Sequence, residues 1–486
     1  MPDHQRSVLV VLADGAHAAT FEALLAAGEL PEIKRHLIDR GCYRRGTTTF
    51  ASTTGPAHIP IMTGCFAGTG GVPGYRWFER EAYRPHLPTG PWCFRSYNGP
   101  EAFLFDRDMD PARPSIHELT RSVNIFGMAG RGAKRTPGSR VKSPLWTWAH
   151  YAHDYSTADR VAERLMLESL AEPDEFRFVA FPGIDWSGHY TGSVDAVHEA
   201  FRRVDRAIGR AATELRRRGT YDDTMIVVCS DHGHLDVATH FDVAVWLQDE
   251  EQLKVAYHSM KAMMRDPDAV SCVSGNGAAH LHFRGEDWRA PAPTRADIDL
   301  LHPGLRRRLL ERDEIDLVVT RGDEPGTFLV ERTPQGGTGM TGSAELREND
   351  SVISYRPLDG DPLGLGEEAV ELDTEEALRG SIGGTHPDAA LQILQSFRTS
   401  RAGDVVISAR PGYDLRERYE RPEHLSSHGA LHADHMLVPV ACSEPLAEGP
   451  VRTADLFTTA LDFLGRQAPV SDGTSRLAAE RRLPAM

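Results

Sequence analysis

The segment TMIVVCSDHG at residues 224–233 decides the fold that we expect for this chain. Its apolar run at 225–229 is typical of a buried strand, and the pair Asp231–His232 follows where that strand ends. Before it, apolar residues spaced by three and four form one continuous stripe over residues 194–218, which predicts an amphipathic helix. A helix followed at once by a buried strand is the repeating step of a layered α/β sheet.

Two earlier apolar runs end in the same kind of residue. Asp14 follows the run Val8–Ala13, and Asp185 follows the run Phe176–Phe181, with His189 four residues further on. At the carboxyl edge of an open α/β sheet, side chains from separate strands converge on one crevice. An isolated Asp after a strand is more often a helix cap. Here an Asp follows each of three strands, each time close to a glycine, and this repetition favours a shared site instead.

The residue types in these segments are typical metal ligands. Carboxylate oxygens mixed with imidazole nitrogens suit a divalent cation, either zinc or manganese. Asp231 and His232 would point apart within a strand, but at its end, where the backbone turns, both can reach one ion. A later cluster at His424–His432 lies before another predicted strand and can supply a further nitrogen ligand. We therefore predict a site for two metal ions.

A candidate nucleophile stands between the first two of these segments. The stretch at 51–64 has no apolar period, and Gly55-Pro56 breaks it into a turn that can open a helix. A threonine in that turn, Thr54, can aim its hydroxyl at the cations and lose its proton to become an alkoxide. The alternative is a threonine that only caps the helix.

Composition argues against several classes of protein. The chain has 486 residues, of which 40% are apolar, enough for a sizeable core with an insertion. The net charge of −16, from 54 basic and 70 acidic residues, argues against a nucleic-acid polymer or an anionic membrane as a partner. No secretory signal is evident, and no apolar run approaches the roughly 18 residues of a membrane span. The six cysteines form no C-x-x-C pair, so we expect a cytoplasmic protein with reduced thiols.

The chain is predicted to divide into a core and an insertion. From about residue 248 to residue 385, Pro and Gly clusters, acidic residues and short β-like runs replace the alternating strands and helices. We predict a core catalytic domain built from residues 1–247 and 386–486, with an inserted smaller α+β cap at 248–385. Residues 404–408 and 436–441 are expected to be returning strands of the core. The predicted fold class is α/β, with a mostly parallel sheet flanked by helices.

Five short motifs follow one another along the chain. They are Asp14-Gly15, the turn Thr54-Gly-Pro-Ala-His58 with Thr63-Gly64 after it, Asp185-x-x-x-His189, Asp231-His232-Gly233, and His428-Gly429. In this order they resemble the alkaline phosphatase superfamily, and most closely its type I phosphodiesterase/nucleotide pyrophosphatase branch. The resemblance covers residues 7–245 and 386–466 but not the insertion. It implies an alkaline-phosphatase-like layered core and hydrolysis of phosphorus esters.

The resemblance also implies roles for individual residues. One ion would be held by Asp14, Asp231, His232 and Thr54, and a second by Asp185, His189 and His428. Thr54 would bridge the ions, attack phosphorus in line and form a phospho-threonine that a metal-activated water hydrolyses. Thr54 is preferred to Thr53 because the register of Thr53 relative to the proline of the turn is wrong by one.

Several histidines near the motifs compete for the last ligand position. His432 and His435 are rivals of His428, which is preferred because a glycine follows it. His234 and His240 flank the D-H-G motif and can orient ligands from outside. Exposed loop histidines are commoner than such groups, so neither is placed among the predicted ligands.

One position departs from the family's pattern. Several phosphodiesterase members carry an Asn whose amide contacts a phosphoryl oxygen, and this chain has Ala57 in its place. Arg131, Lys134 and Asn276 are the candidates to replace that contact. Arg131 and Lys134 lie in a basic loop that can bind a doubly charged phosphate, which would favour monoesters. The alternative is a solvated loop without a role in binding.

The predicted function is that of a metal-dependent phosphohydrolase. It would cleave phosphodiester or pyrophosphate bonds of a small molecule, with two divalent ions, zinc or manganese, as cofactors, and the insertion would select the leaving group. A phosphomonoesterase or a phosphonate C–P hydrolase on the same core stays open as an alternative. From a different class, the chain could be an inactive binding protein that retains the metal cage.

Overall fold

Two large β-sheets with helices packed against them make up the described part of the chain. The computed structural model describes residues 6–152, 154–333, 342–417 and 424–481. The predicted α/β class, with a mostly parallel sheet flanked by helices, is confirmed. None of the described helices is both long and apolar enough to cross a lipid bilayer.

The first sheet has seven strands, and the three that precede the predicted ligands are neighbours at its centre. Across the sheet the order is Val451–Arg452, Cys42–Thr47, Leu437–Cys442, Thr224–Cys229, Ser7–Ala13, Phe176–Phe181 and Ser122–Ile125. The last four run parallel, and Leu437–Cys442 is antiparallel to its neighbour Thr224–Cys229. Because the three central strands end at the same edge, the residues that follow them meet there.

Helices connect these strands and cover the sheets. The longest, Val194–Arg218, begins and ends as its apolar stripe predicts, and Gly219 caps it in the left-handed conformation. The α-helices are Ala18–Ala26, Pro31–Ile33, His58–Thr63, Phe105–Asp108, Ile116–Leu119, Ser139–Ala152, Ser156–Ser169, Gly183–Thr191, Val194–Arg218, Val243–Asp249, Arg295–Leu301, Leu305–Leu310, Thr374–Ser381, Ala389–Ser396, Ala433–Met436 and Asp455–Phe463.

The second sheet has nine strands and is antiparallel apart from its first pair. Its order is Val255–Ala256, Ala269–Ser274, Ala278–Phe283, Val405–Ala409, Ile315–Arg321, Thr327–Arg332, Gly342–Asn349, Val352–Asp359 and Val370–Asp373. It occupies most of the predicted insertion and continues past residue 385. The division of the chain into domains stays a prediction.

One expected core strand belongs to the second sheet. Residues 404–408 were expected to return to the core together with residues 436–441. The second run does so as Leu437–Cys442, but Val405–Ala409 pairs with Ala278–Phe283 and Ile315–Arg321. That expectation is wrong because a short apolar run indicates burial without indicating which sheet buries it.

Short pairings bring the segment at 424–432 to the edge of the first sheet. Ser426–Ser427 pairs with Leu235–Asp236, just after the D-H-G motif. Single bridges join Gly429 to Ser52 and His428 to Asn276. Gly429 has a φ of 108°, and a Cβ there would lie 2.4 Å from the carbonyl oxygen of Ser274, so only glycine fits.

Candidate metal centre

Asp14 leaves the first sheet directly beside Asp185. The backbone N–H of Asp185 donates to the carbonyl of Asp14 at 3.0 Å, which ties the two segments together. Gly15 has a φ of 74°, and a Cβ on it would lie 2.9 Å from the Cα of Asp185. The Asp-Gly pair therefore allows two strand ends to approach closely.

Asp185 and His189 lie on the short helix Gly183–Thr191 that follows the strand Phe176–Phe181. Their spacing of four residues places them on one face, and His189 Nε2 lies 3.3 Å from Asp185 Oδ1. The start of this helix is held by Asp159, whose Oδ1 accepts from the N–H of Gly183 at 2.9 Å. The side chains of Asp185 and His189 are both buried.

Asp231 and His232 lie beyond the end of the strand Thr224–Cys229. His232 Nε2 is 3.6 Å from Asp231 Oδ2 and 3.6 Å from Asp14 Oδ1, so both side chains face Asp14. Ser230 holds the turn, since its hydroxyl accepts from the N–H of Ala16 at 2.8 Å and lies 2.7 Å from the carbonyl of Ala13.

The hydroxyl of Thr54 points into this cluster. Thr54 Oγ1 lies 3.0 Å from His232 Nε2 and 3.4 Å from Asp14 Oδ1. The helix His58–Thr63 begins after Ala57 and has no side-chain cap, so Thr54 does not serve as its N-cap. Its rival Thr53 is buried and packs against Gly275.

The predicted ligands form three overlapping groups of donor atoms. In each group the atoms lie within 4.8 Å of one another, as the ligands of one ion must. The groups are Asp14, Asp231 and His232; Asp185, His232 and His428; and Asp185, His189 and His234. Six of the seven predicted ligand side chains therefore meet in one place, where His234 joins them, and the hydroxyl of the seventh, Thr54, points there as well.

Hydrogen bonds orient three of the imidazoles for metal binding. In each of them Nδ1 faces a backbone carbonyl. His189 faces Ser426 at 2.8 Å, His232 faces Gly233 at 3.0 Å, and His428 faces Ser52 at 3.2 Å. A carbonyl only accepts, so Nδ1 carries the proton in each ring and Nε2 of the neutral imidazole keeps its lone pair. Histidines that bind metals through Nε2 are oriented in this way.

The charges in the cluster call for an external cation. Burial raises the pKa of Asp14 well above its usual range, and the nearby charges of Asp231 and Asp185 raise it further. Within the described residues, the ion pairs of these three carboxylates are all with imidazoles. Asp185 Oδ1 and Asp231 Oδ2 are buried without a hydrogen-bond partner. The donor set and these two oxygens fit divalent cations.

His58 has the opposite hydrogen-bond pattern. Its Nδ1 accepts from the N–H of Met128 at 3.1 Å, so the proton of the neutral ring is on Nε2. That nitrogen lies 3.4 Å from Asp231 Oδ2. His58 is therefore placed to orient Asp231 rather than to bind metal. The sequence shows this histidine only as part of the Thr54 turn.

The three candidates for substrate contact lie in different surroundings. The Arg131 guanidinium contacts Glu118 at 3.1 Å and the backbone carbonyls of Met109 and Asp110, none of which belongs to the cluster. Lys134 is exposed, and Asn276 is buried beside His428. The role of each stays a prediction.

A half-buried lysine near the cluster is not marked by any motif in the sequence. Lys142, on the helix Ser139–Ala152, donates from Nζ to the carbonyl of Phe126 at 2.9 Å. Burial lowers its pKa to about 8, while the charges of Asp14 and Asp106 oppose that shift. Lys142 thus adds a cation near Asp14 that no motif in the sequence marks.

The other histidines near the cluster differ in position. His435 accepts at Nδ1 from the N–H of Ala430, and its ring centroid lies 4.0 Å from that of His432. The ring of His428 instead stacks on the ring of His232, with centroids 3.8 Å apart. His234, expected in an exposed loop, is only 9% exposed and faces Asp185. A D-H-x-H spacing is the signal that could have marked it.

Comparisons with known proteins agree with this architecture. Murine ectonucleotide pyrophosphatase/phosphodiesterase 5, solved as an inactive threonine-to-alanine variant in complex with AMP, has a TM-score of 0.56 at 14% identity, covering 97% of this chain and 98% of that one. Phosphonoacetate hydrolase from Sinorhizobium meliloti 1021, in complex with phosphonoformate, has a TM-score of 0.55 at 16% identity, covering 94% and 96%. Human ectonucleotide pyrophosphatase/phosphodiesterase 5 has a TM-score of 0.56 at 12% identity, covering 96% of this chain and 97% of that one. At these identities the likeness shows the fold.

The sequence itself decides the family. A comparison with curated protein sequences gives no significant match. The family described as type I phosphodiesterase/nucleotide pyrophosphatase matches residues 8–320, well over half of the chain. The chain therefore belongs to the type I phosphodiesterase/nucleotide pyrophosphatase family of hydrolases, which act on phosphorus esters.

Proposed function

We propose that this hydrolase cleaves phosphodiester or pyrophosphate bonds of a small molecule through a phospho-threonine on Thr54. The position of Thr54 Oγ1, 3.0 Å from His232 Nε2 and 3.4 Å from Asp14 Oδ1, carries the proposal. A hydroxyl held among metal-ligand atoms is in the place where an activated nucleophile must be. The murine relative was solved as an inactive threonine-to-alanine variant, which supports giving a threonine this role.

The ligand set proposed for the first cation follows one donor group and adds Thr54, and the set for the second cation combines residues of the other two groups. Asp14, Asp231, His232 and Thr54 would hold one ion, and Asp185, His189 and His428 the other. Zinc is proposed because imidazole nitrogens make up much of the set, and manganese is the alternative. Such ions, when bound, lower the pKa of coordinated hydroxyls and neutralise charge on the phosphoryl oxygens.

The chain's own residues would then have separate roles in the reaction. Thr54 Oγ1 loses its proton and attacks phosphorus, and the bond from phosphorus to the leaving oxygen breaks as the new bond forms. Water then attacks phosphorus from the position that the leaving group vacated, opposite Thr54 Oγ1, and the bond from phosphorus to Oγ1 breaks, which restores the Thr54 hydroxyl. The Nε2–H group of His58 faces Asp231 Oδ2 at 3.4 Å and would help to keep that carboxylate turned toward its cation.

Substitution of the two adjacent threonines tests this proposal. We expect Thr54→Ala to lower hydrolysis of an aryl phosphodiester by about 1,000-fold or more, since covalent catalysis is lost. Thr54→Ser, which keeps a hydroxyl, should retain part of the activity, and Thr53→Ala serves as the matched control. Acid quenching during turnover should trap phosphate on Thr54. Full activity of Thr54→Ala would overturn the proposal.

A second candidate, phosphonate or phosphomonoester hydrolysis, is favoured by two observations. Lys142 brings a half-buried ammonium near Asp14, where a doubly charged substrate gains more from it than a diester does. Ala57 also lacks the amide found in several phosphodiesterases of the family. If this candidate is right, Lys142→Met reduces turnover of a phosphonate or monoester far more than that of a diester. Equal losses on both substrates would reject it.

A further inference from the structure

Three imidazoles converge on a single carboxylate oxygen. Asp185 Oδ1 lies 3.3 Å from His189 Nε2, 3.5 Å from His234 Nε2 and 3.8 Å from His428 Nε2. This oxygen is buried and lacks a hydrogen-bond partner. Two of the three imidazoles belong to the ligand set proposed above, and His234 does not.

The spacing around Asp185 matches the ligand shell of one ion. Zinc binds nitrogen and oxygen at about 2.0–2.2 Å, so adjacent ligand atoms of a tetrahedral site are about 3.3–3.5 Å apart. The distances from Asp185 Oδ1 to His189 and to His234 fall at these values, and His428 lies slightly further away. His234 therefore has the better distance of the two candidates for the third position.

The surroundings of His234 are shaped to hold its ring in this place. Its side chain is 9% exposed and meets the His189 ring edge to face, with centroids 4.5 Å apart. Nδ1 lies 3.4 Å from the hydroxyl of Ser426. Gly188 leaves the space for the ring, because a Cβ there would lie 2.2 Å from His234 Nδ1.

We propose that His234 is a protein ligand of the ion held by Asp185 and His189. This rests on the proposed two-metal site and extends it, because that ion then gains an imidazole ligand outside the set proposed above. The donor atoms of Asp185, His189 and His234 lie within 4.8 Å of one another, as the ligands of one ion must. Loss of His234 should accordingly weaken one of the two ions and leave the other in place.

Metal retention tests this assignment without relying on turnover. The full-length protein is stripped with a chelator, reloaded with zinc, and passed over a desalting column at graded chelator concentrations before its zinc content is measured. We expect wild type to keep two ions. His234→Gln should weaken one of them by at least about 100-fold, since loss of an outer-shell partner alone costs 10–100-fold.

Two further variants separate ligation from folding. Gly188→Ala, whose new methyl group occupies the place of the His234 ring, should weaken the same ion. His240→Gln is the matched control, because His240 contacts Asp414 at 2.8 Å and should bind both ions like wild type. Circular dichroism of each variant establishes that it is folded.

Cobalt gives an independent reading of the shell. In the visible spectrum of the cobalt-loaded protein, loss of an imidazole ligand alters the ligand-field bands, so His234→Gln should change the spectrum and His240→Gln should not. If wild type retains two ions and both His234→Gln and Gly188→Ala match it in retention and spectrum, the assignment of His234 is overturned. If wild type retains fewer than two ions, the proposed two-metal site fails as well.

Discussion

Buried carboxylates occur in two regions of this molecule, and their surroundings differ. In the second sheet, Asp316 is surrounded by side-chain N–H groups of the protein, two of them from arginines: Arg332 Nε at 2.9 Å, His386 Nε2 at 2.7 Å and Arg410 at 3.5 Å. At the edge of the first sheet, Asp14 lies among two other carboxylates and imidazole nitrogens. The same chemical group is neutralised by the chain itself in one place and is left for an external cation in the other.

This contrast separates a structural carboxylate from a functional one. A buried carboxylate that stabilises the fold needs a partner that is always present. A carboxylate that binds metal needs neighbours with free lone pairs, which raise the free energy of the metal-free protein. The cluster around Asp14 should therefore contribute to activity, and Asp316 to folding.

The largest effect is expected from Asp14→Asn. Removing one carboxylate from the ligand set should lower turnover by about 1,000-fold or more, because metal-based charge stabilisation contributes several kcal/mol. The metal-free variant should unfold at a temperature equal to or above that of metal-free wild type, since the repulsion from Asp231 and Asp185 is relieved. Enzyme assays and thermal unfolding after chelation measure both quantities. A large loss of stability in the metal-free variant would show that Asp14, like Asp316, stabilises the fold.

Asp316→Asn should give the reverse result. Its loss leaves the buried His386 and Arg410, and the partly exposed Arg332, without their carboxylate, which costs about 3–5 kcal/mol of unfolding free energy. The folded fraction should keep its metal content and its kcat. Denaturant unfolding and active-site titration test this, and a protein of normal stability with reduced kcat would contradict it.

His58→Ala should have an intermediate effect. Because His58 orients Asp231 without binding metal, its loss should cost about 10–100-fold in metal affinity or turnover. His58→Gln, which keeps an N–H donor, should recover part of that loss. An unchanged metal affinity and turnover in His58→Ala would show that the contact with Asp231 has no consequence.

The smallest effect is expected in the pH dependence of the stability of the metal-free protein, to which Asp14 and Asp316 should contribute with opposite signs. The pKa of Asp14 is raised by burial, so its contribution to stability is full below its ordinary value of 3.8 and is lost as the pH rises. For Asp316, burial raises the pKa, but His386 and Arg332 lower it overall, so its contribution is full above 3.8 and is lost as the pH falls. Denaturant unfolding of wild type and of each Asn variant from pH 3 to 8 measures both slopes. Slopes of the same sign would refute this distinction.

The sequence predicts the cluster well because its members follow buried strands. Asp14, Asp185 and Asp231 each come after an apolar run, and adjacent parallel strands end at one edge. The D-H-x-H spacing marks His234 in the sequence but does not place its ring, since that position depends on the space that Gly188 leaves. The surroundings of Arg131 depend on carbonyls from distant loops, and those of Lys142 on the carbonyl of Phe126. Contacts of this kind have no local pattern.

The central claim is that the carboxylates and imidazoles at this edge bind two divalent cations. Crystals of the zinc- or manganese-loaded protein, measured on both sides of the metal's absorption edge, test it most directly. We predict two anomalous peaks, one within bonding distance of Asp14, Asp231 and His232 and the other within bonding distance of Asp185 and His189. A protein loaded to saturation that shows no peak at these side chains would contradict the claim.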